Sequence, residues 1–296
     1  MAPERIDCLV VGGGPAGLTA ALYLRRFQRS VTLVDEGESR ALDIEHSHNL
    51  PGFPDGLSGS ELLERLRRQL EAAGGTIVGA RVSSIVPYQR VGFEAHWRGA
   101  RVLARTVLLA TGVIDVVPVL PGAAAARRSG RLRQCPICDG HEHRGQRLVV
   151  IGLDVADPHA QREAAFLAHF SDRVHLVGLQ PPAGTATAPV PVPVPVLPAT
   201  LVRLRRHGEA LELVLADGSL HLADMLYAAL GSAPRAALGV RLGARRDTLG
   251  NLVVDAHGAT SVAGLYAAGD VVNGLDQIVV AEAHGAIAAT AIHNGL

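Results

Sequence analysis

Lysine does not occur in the 296-residue sequence, because all 28 basic residues are arginine. Schiff-base catalysis and the P-loop type of phosphate site both need a lysine side chain, so this chain supports neither of them. The 28 basic residues are balanced by 28 acidic ones, and the sequence has no long basic block. The composition therefore indicates neither a nucleic acid nor an anionic membrane as a partner.

Long apolar runs and a targeting segment are also missing. Hydrophobic residues make up 48% of the chain, but none of the runs reaches the about 18 apolar residues of a membrane span. The N-terminus lacks the basic and apolar segments of a secretory signal. Three cysteines are too few for a secreted disulfide framework. We therefore expect a cytoplasmic protein, long enough for two domains.

The chain opens with a strand, a glycine-rich turn, a helix and a second strand. An apolar run ends at Val11, and Gly12, Gly14 and Gly17 follow in the spacing G-x-G-x-x-G. In such a turn the glycines allow a tight bend, close approach of a pyrophosphate and close packing of helix on strand. The second strand ends at Asp35, which can accept hydrogen bonds from ribose hydroxyls. This pattern predicts a dinucleotide site, whereas a glycine-rich turn of purely structural origin is the alternative.

A second motif is Cys135-Pro-Ile-Cys138-Asp139. Two thiols at this spacing can form a disulfide, and the neighbouring carboxyl group can move the proton that thiol–disulfide exchange requires. Two alternatives remain open at this point. One is a zinc site completed by His141 and His143, and the other is a pair of inert buried cysteines. Cys8 lies in a predicted core strand and is expected to serve packing.

The segment from residue 148 to 177 repeats the opening pattern without its glycines. Strands are predicted at 148–151 and 174–177, and a helix around 160–170. After Gly152 the turn continues with Leu153, Asp154, Val155, Ala156 and Asp157, where a pyrophosphate would need bare backbone. Each carboxylate opposes a phosphate by roughly 1 kcal/mol at moderate screening. The sequence predicts that this turn has lost its dinucleotide site, and the alternative is binding by a divergent loop.

Further helices, strands and connections are predicted outside these two motifs and the 148–177 segment. An amphipathic helix is predicted at 60–73, ending at two glycines, and a single strand at 76–86. Prolines 189, 191, 193, 195 and 198 exclude a helix and a central strand and predict an extended surface connection. A helix is predicted at 277–294, after a Gly269-Asp270 turn.

The motifs GGGPAGLTAA, ATG, CPICDG and AAGDV followed by Gln277-Ile278 resemble the low-molecular-weight thioredoxin reductase family of FAD-dependent pyridine nucleotide-disulfide oxidoreductases. The resemblance extends over nearly the whole chain. It implies an α/β fold of two Rossmann-like, three-layer ββα dinucleotide-binding domains, the second inserted in the first. Residues 1–117 and 246–296 would form the FAD-binding domain, and residues 118–245 the inserted domain. It also implies a homodimer.

The resemblance assigns roles residue by residue. Cys138 would face the flavin, Cys135 would exchange with the partner, and Asp139 would act as acid and base. The loop at His46 to Asn49 departs from the reductases, and His48 or His46 is expected to move protons near the flavin unless the loop is simply solvated; His284 is a further candidate. FAD contacts are implied at Gly12, Gly14, Pro15, Ala16, Gly17, Asp35, Asn49, Thr111, Gly112, Gly269, Asp270, Gln277 and Ile278.

The family's NADPH-binding turn is the main departure, because the chain has neither its glycines nor an arginine pair after the next strand. We therefore expect electrons to pass between FAD, the cysteine pair and a thioredoxin-like protein or a small dithiol or disulfide, without the usual use of NADPH. Reduced ferredoxin or reduced flavin is the expected kind of donor. The alternatives are a dithiol oxidase that passes electrons to oxygen and a non-catalytic FAD-binding redox sensor.

Overall fold

A computed structural model describes residues 5–89, 92–181 and 194–296. The chain forms two compact units. The first unit consists of Met1–Ile114 and Ala233–Leu296, and the second unit is Asp115–Ser232, so the second is inserted in the first. The chain enters the second unit after Ile114, close to the boundary expected from the sequence. It returns to the first unit between residues 232 and 233, whereas the sequence predicts the return between 245 and 246.

The strands of the described residues, in chain order, are β1 (Arg5–Val11), β2 (Val31–Asp35), β3 (Thr76–Gly79), β4 (Val82–Pro87), β5 (Phe93–Trp97), β6 (Ala100–Leu109), β7 (Val113–Asp115), β8 (Leu132–Arg133), β9 (Leu148–Gly152), β10 (Val174–Gly178), β11 (Leu201–His207), β12 (Ala210–Leu215), β13 (Leu220–Ala223), β14 (Met225–Ala228), β15 (Ser232–Pro234) and β16 (Leu265–Ala267). The helices are α1 (Pro15–Arg26), α2 (Gly59–Ala72), α3 (Ala123–Arg128), α4 (Pro136–Asp139), α5 (Pro158–Leu167), α6 (Ala237–Arg241) and α7 (Ile278–Gly295), with a 3-10 helix at Arg40–Asp43.

The main sheet of the first unit is parallel along β3-β2-β1-β6, and β16 adds to β6 in the same direction. The hairpin β4-β5 extends the other end of β6 with antiparallel pairing. Val11 is paired with Val34 on one side and with Leu109 on the other. The carboxyl ends of β1, β2 and β6 therefore meet at one edge, where ligands bind in open parallel sheets.

Strand β1 is apolar along most of its length because both of its faces are covered. Cys8 and Val10 face a cluster formed with α1, α2 and α7. Leu9 and Val11 face the opposite cluster, which includes residues of β5 and of the loop segments after β15. Successive side chains of a strand point to opposite faces, so a strand buried on both faces needs a continuous apolar run.

The chain returns to the first unit earlier than expected, because α6 and the residues on either side of it belong to the core of the first unit. Ala236 and Ala244 are buried in the same cluster as Leu109 and Leu252. A Cβ on Gly239, in the middle of α6, would lie 3.0 Å from the side chains of Leu109 and Leu252. The helix therefore packs tightly on the first unit, which the sequence did not reveal because the helix is only five residues long.

The second unit has three layers. A parallel sheet of order β10-β9-β14-β8 lies beside a three-stranded antiparallel sheet, β11-β12-β13. Val149 and Ile151 pack toward the antiparallel sheet, whereas Leu148 and Val150 pack toward α5. The layers are thus antiparallel sheet, parallel sheet and helix, and the predicted Rossmann-like ββα fold is confirmed.

Two predicted elements differ in detail. Residues 76–86 form two strands, β3 and β4, which lie at opposite edges of the main sheet. In the proline-rich segment, prolines 189, 191 and 193 lie outside the described residues. Val196 forms a parallel bridge with Leu176 of β10, and Leu197 is 6% exposed. The described end of this segment is therefore an edge pairing and not a surface connection, because Leu197 supplies the N–H that its proline neighbours lack.

None of the helices within the described ranges combines the length and the apolar character that crossing a bilayer requires.

Candidate functional site

The glycine turn after β1 is tightly packed. Gly12 has a φ of +106°, and a Cβ there would lie 2.3 Å from the carbonyl oxygen of Ala110. A Cβ on Gly17 would lie 1.9 Å from the carbonyl oxygen of Gly12. Only glycine satisfies both positions, because one needs a left-handed conformation and the other the closest helix-to-strand approach.

Helix α1 begins at this turn with an open N-terminus. Its N-cap is Gly14, which has no side chain to accept a hydrogen bond from the first turn, and Pro15 follows. The ideal Cβ of Gly14 would contact only the hydroxyl of Ser39, at 3.3 Å. Bare backbone and the positive end of a helix dipole face this space, an arrangement that fits the pyrophosphate of a dinucleotide.

Asp35 lies beside the glycine turn, as its place at the end of β2 predicts. Its Oδ1 accepts a hydrogen bond from the backbone N–H of Gly13 at 3.0 Å. Its Oδ2 lies 3.5 Å from a guanidinium nitrogen of Arg67, on α2. The carboxylate is thereby fixed next to the glycine turn.

Two segments far apart in sequence meet at the start of α7. Asn49 donates from Nδ2 to Oε1 of Gln277 at 3.0 Å, and Gln277 is the N-cap residue of α7. The hydroxyl of Ser47 in turn donates to Oδ1 of Asn49 at 2.8 Å. The loop that carries Asn49 is thus fixed to the start of α7, and Ile278 packs against the cluster that contains Leu50 of the same loop.

The other positions implied by the resemblance also lie at this edge. Arg40 is 3.2 Å from the carboxylate of Asp270, and a Cβ on Gly269 would lie 2.9 Å from the Cβ of Ala16. The turn after β6 is held separately, since Thr111 donates its hydroxyl to the carbonyl oxygen of Arg235 at 2.8 Å. The backbone N–H of Arg235 donates to the carbonyl oxygen of Gly112 at 2.9 Å.

The histidines of the loop face each other. The rings of His46 and His48 are 4.6 Å apart between centroids, and His46 Nε2 is 2.9 Å from the carbonyl oxygen of Asp55. Both side chains are exposed. His284, on α7, is partly buried, and its Nδ1 is without a hydrogen-bond partner among the described atoms. Proton transfer by His48 remains a prediction.

In the second unit, Cys135 and Cys138 are joined in a disulfide, with their Cα atoms 5.3 Å apart. Helix α4 begins directly after Cys135 and contains Cys138. Ile137, between the two cysteines, is 47% exposed. Cys8, in contrast, is a free and fully buried thiol, and burial raises its pKa to about 12. Within the described residues, Cys135 and Cys138 therefore form the disulfide, whereas Cys8 serves packing as expected.

Asp139 follows the disulfide and is held by three side chains. The hydroxyl of Tyr227 donates to its Oδ1 at 2.9 Å. Arg133 Nε lies 3.3 Å from its Oδ2, and His143 Nε2 lies 3.9 Å from the same oxygen. Burial raises the pKa of Asp139 above the ordinary value for an aspartic acid. A carboxyl group with a raised pKa next to a disulfide can both donate and accept a proton.

The turn after β9 is closed by its own residues. Asp154 Oδ1 accepts from the N–H of Ala156 at 2.7 Å. Asp157 is the N-cap of α5, and its Oδ1 accepts from the N–H of His159 at 2.9 Å. The carboxylates therefore occupy backbone donors that a phosphate would use in a nucleotide-binding turn.

Backbone contacts complete this closure. The N–H of Gln180, after β10, donates to the carbonyl oxygen of Leu153 at 2.9 Å. A Cβ on Gly178 would lie 3.2 Å from the Cα of Asp154. The two loops at the carboxyl ends of β9 and β10 are therefore packed on each other, where the family pattern has a nucleotide cradle.

Within the ranges that the structure describes, no group of three or more His, Cys, Asp or Glu residues could hold a metal ion.

Four residues that contact these positions were not predicted. The side chains of Arg40, Arg67 and Tyr227 contact carboxylates that the sequence did single out, and the backbone of Arg235 contacts Thr111 and Gly112. Each contact joins positions far apart in the chain, so no local spacing indicates it. The only sequence signal is indirect, because a carboxylate placed at a buried strand end needs a donor.

Comparison with known proteins gives a consistent result. The sequence profile of the pyridine nucleotide-disulphide oxidoreductase family matches residues 6–187 and 194–285. A thioredoxin reductase of Treponema pallidum is 31% identical over 300 residues, which cover 96% of this chain and 95% of that protein.

Two solved structures share the fold over nearly their whole length. The crystal structure of HlmI matches with a TM-score of 0.89 and 30% identity, over 98% of this chain and 92% of that one. A thioredoxin reductase of Streptococcus pyogenes matches with a TM-score of 0.84 and 25% identity, over 99% and 98% of the two chains. The chain therefore belongs to the pyridine nucleotide-disulphide oxidoreductase family, as a thioredoxin reductase-like FAD-dependent disulfide oxidoreductase.

Proposed function

We propose that the protein exchanges electrons between FAD in the first unit and a dithiol or disulfide partner through Cys135 and Cys138, without an NADPH site in the second unit. The partner is a thioredoxin-like protein or a small dithiol or disulfide. The names of the Treponema and Streptococcus relatives support the first kind of partner. The donor in a reductive cycle is reduced ferredoxin or reduced flavin.

The observation that carries this proposal is the contrast between two helix N-termini. Helix α1 starts at Gly14, which leaves its first-turn donors to a ligand. Helix α5 starts at Asp157, whose carboxylate takes one such donor, and Asp154 occupies the preceding turn. Negative charge and a filled cradle both oppose a pyrophosphate at α5. At α1 no side chain caps the first turn and bare backbone faces the space, so a pyrophosphate fits there.

The residues that would hold FAD are the glycine turn, Asp35 at the ribose, and the Asn49–Gln277 pair at the start of α7. Arg40 keeps the carboxylate of Asp270 in place, and Thr111 fixes the turn after β6. FAD, when bound, would supply a two-electron carrier in addition to the dithiol–disulfide couple of the cysteine pair. The residues of the chain contribute binding, orientation and proton transfer.

The exchange step follows from the disulfide itself. A thiolate of the partner attacks Sγ of Cys135, the Cys135–Cys138 bond breaks, and Cys138 leaves as a thiolate. The second thiolate of the partner attacks its own sulfur in the mixed disulfide, and Cys135 leaves and takes a proton. Asp139 donates that proton and recovers one from the partner dithiol. The partner becomes a disulfide, and the pair becomes a thiol at Cys135 and a thiolate at Cys138, with the second proton of the partner dithiol released to solvent. Disulfide reduction runs through the same bonds in reverse.

The test uses the purified FAD-containing protein without oxygen. It is mixed in parallel with NADPH, NADH, reduced ferredoxin, free reduced flavin and a dithiol, and flavin absorbance is followed. We expect the dithiol to bleach the flavin and NADPH to leave it oxidised. The variant Cys138→Ser should lose the response to the dithiol. Rapid bleaching by NADPH would overturn the proposal that the second unit has no NADPH site.

The closed turn after β9 also favours a second candidate function. A chain without a nicotinamide donor can take its electrons from a dithiol substrate and pass them to oxygen. In that reaction one dithiol and one O₂ give one disulfide and one H₂O₂. Hydrogen peroxide that forms in air in proportion to the dithiol consumed would support this oxidase, and its absence together with ferredoxin-dependent disulfide reduction would support the reductase.

A further inference from the structure

We propose that Tyr227 is a positioning residue for Asp139, whose carboxyl group it holds beside the cysteine pair through a hydrogen bond. The inference rests on the proposed function, in which Asp139 exchanges protons with the sulfur atoms. Nothing in the motif around the cysteines indicates this role, because Tyr227 follows Asp139 by 88 positions.

Tyr227 is held rigidly at the centre of the second unit. It lies on β14, between β9 and β8, and its side chain is fully buried. Its register partner on β9 is Val150, and its register partner on β8 is Arg133. The two strand neighbours Tyr227 and Arg133 therefore approach the same carboxyl group from the sheet.

The two oxygens of Asp139 have different surroundings. Oδ1 accepts the hydroxyl of Tyr227 at 2.9 Å. Oδ2 faces Arg133 Nε at 3.3 Å and His143 Nε2 at 3.9 Å. The carboxyl group is thus fixed at one oxygen by a neutral donor on a buried ring, while the other oxygen faces groups that carry or can carry positive charge. Rotation of the carboxyl group would break the hydrogen bond to Tyr227.

The surroundings of Asp139 shift its pKa in opposite directions. Burial, the largest effect, raises its pKa, and the carboxylate of Glu142 raises it further. The hydroxyl of Tyr227, the guanidinium of Arg133 and the ring of His143 all lower the pKa of Asp139. Without the hydroxyl, burial would keep the proton on Asp139 to a higher pH.

Tyr227 remains a donor throughout the range in which Asp139 titrates. Burial and the neighbouring charge of Asp139 raise the pKa of Tyr227 far above the ordinary value for a phenol. The hydroxyl therefore keeps its proton, and its hydrogen bond strengthens when Asp139 becomes ionised.

The test replaces only the hydroxyl, in Tyr227→Phe. The FAD-containing protein is mixed with dithiothreitol, quenched with an alkylating agent, and the free thiols of the pair are counted by mass spectrometry at a series of pH values. In the wild type the rate should show an inflection from Asp139. In Tyr227→Phe that inflection should move to higher pH by about one unit, as expected for the loss of one hydrogen bond to a carboxylate.

Tyr266→Phe is the matched control, since Tyr266 lies on β16 of the first unit; its inflection should stay at the wild-type pH. Asp139→Asn should abolish the inflection, and Tyr227→Phe added to Asp139→Asn should change nothing more. An inflection that stays in place in Tyr227→Phe, while Asp139→Asn abolishes it, would overturn the role of Tyr227. An inflection that persists in Asp139→Asn would instead overturn the role of Asp139 in the proposed function, and this inference with it.

A second replacement guards against a folding defect in Tyr227→Phe. The amino acid 3-fluorotyrosine in place of Tyr227 keeps the ring and the hydroxyl but makes the phenol a stronger donor. The inflection should then move to lower pH. Movement to higher pH, or no movement, would contradict the proposed hydrogen-bond effect.

Discussion

Asn49 and Gln277, 228 positions apart, are joined by a hydrogen bond of 3.0 Å from Nδ2 of the first to Oε1 of the second. The bond links the loop after the 3-10 helix to the N-cap of α7, so the two segments that carry the proposed FAD-binding positions hold each other in place. A cofactor that contacts both segments meets a surface that is already organised.

We therefore expect Gln277→Ala to weaken FAD binding about fivefold, the effect of losing one neutral hydrogen bond of about 1 kcal/mol. The measurement is a fluorescence titration of the flavin-free protein with FAD. The control is Thr290→Ala on the same helix, where the hydroxyl donates to the carbonyl oxygen of Ala286. Equal FAD affinity in Gln277→Ala and the wild type would show that the link does not organise the site.

Gly12→Ala should give a protein that is purified without flavin. The new Cβ would lie 2.3 Å from the carbonyl oxygen of Ala110, in a residue with a φ of +106°, so the turn has to move. The measurement is the ratio of flavin to protein absorbance after gel filtration. Gly37→Ala is the control, because its φ is +84° but nothing lies within 4 Å of the new Cβ. Flavin lost to the same extent in both variants would point to general backbone strain.

Asp157→Ala should lower the free energy of unfolding by about 1 kcal/mol, the usual effect of losing an N-cap side chain. It should not create a response to NADPH, because Asp154 and the pairing of Gln180 with Leu153 remain. Urea denaturation followed by circular dichroism measures the first effect, and anaerobic flavin absorbance the second. Asp172→Ala, at an exposed position near the far end of α5, is the control. NADPH-dependent bleaching in Asp157→Ala would show that a single carboxylate closes the site.

The pair Arg147 and Asp224 should make the stability of the protein depend on acid pH. Hydrogen bonds from Arg147 lower the pKa of Asp224 below its ordinary value, so the ionised form stabilises the folded state. That contribution is present above the unfolded-state value of about 4 and is lost as the pH falls through the lower, folded-state pKa. Asp224→Asn should therefore be less stable than the wild type at pH 7, by thermal denaturation. The difference should shrink below pH 4, and a difference of constant size would contradict the expected linkage.

Local motifs predicted the parts of this fold that local chemistry determines. The helix expected at 60–73 is present as Gly59–Ala72. At its end, the N–H of Gly75 donates to the carbonyl oxygen of Leu70 at 2.9 Å, and Gly74 has a φ of +74°, as the glycine pair predicted. The glycine turn at 12–17 has the close approaches that its spacing indicated. In each case the controlling residues are neighbours in sequence.

Long-range contacts were beyond the reach of the sequence. The hydroxyl of Tyr227 reaches Asp139 only because β14 lies next to β8 in the sheet, and no spacing within the chain predicts that neighbour relation. The sequence did not predict that α6 packs on the first unit for the same reason, since this packing depends on Leu109 and Leu252 from two other segments. Both contacts depend on how distant segments of the chain assemble, and a local sequence pattern does not contain that information.

The closed turn at α5 also has a thermodynamic consequence. A domain that binds a nucleotide gains stability with the concentration of that nucleotide, whereas a domain whose helix is capped by its own carboxylate does not. The carboxylate of Asp157 provides the hydrogen-bond acceptor at the start of α5 that a phosphate group of a bound nucleotide would otherwise provide. On the proposed function, the folding of the second unit is therefore independent of the cellular supply of nicotinamide nucleotides.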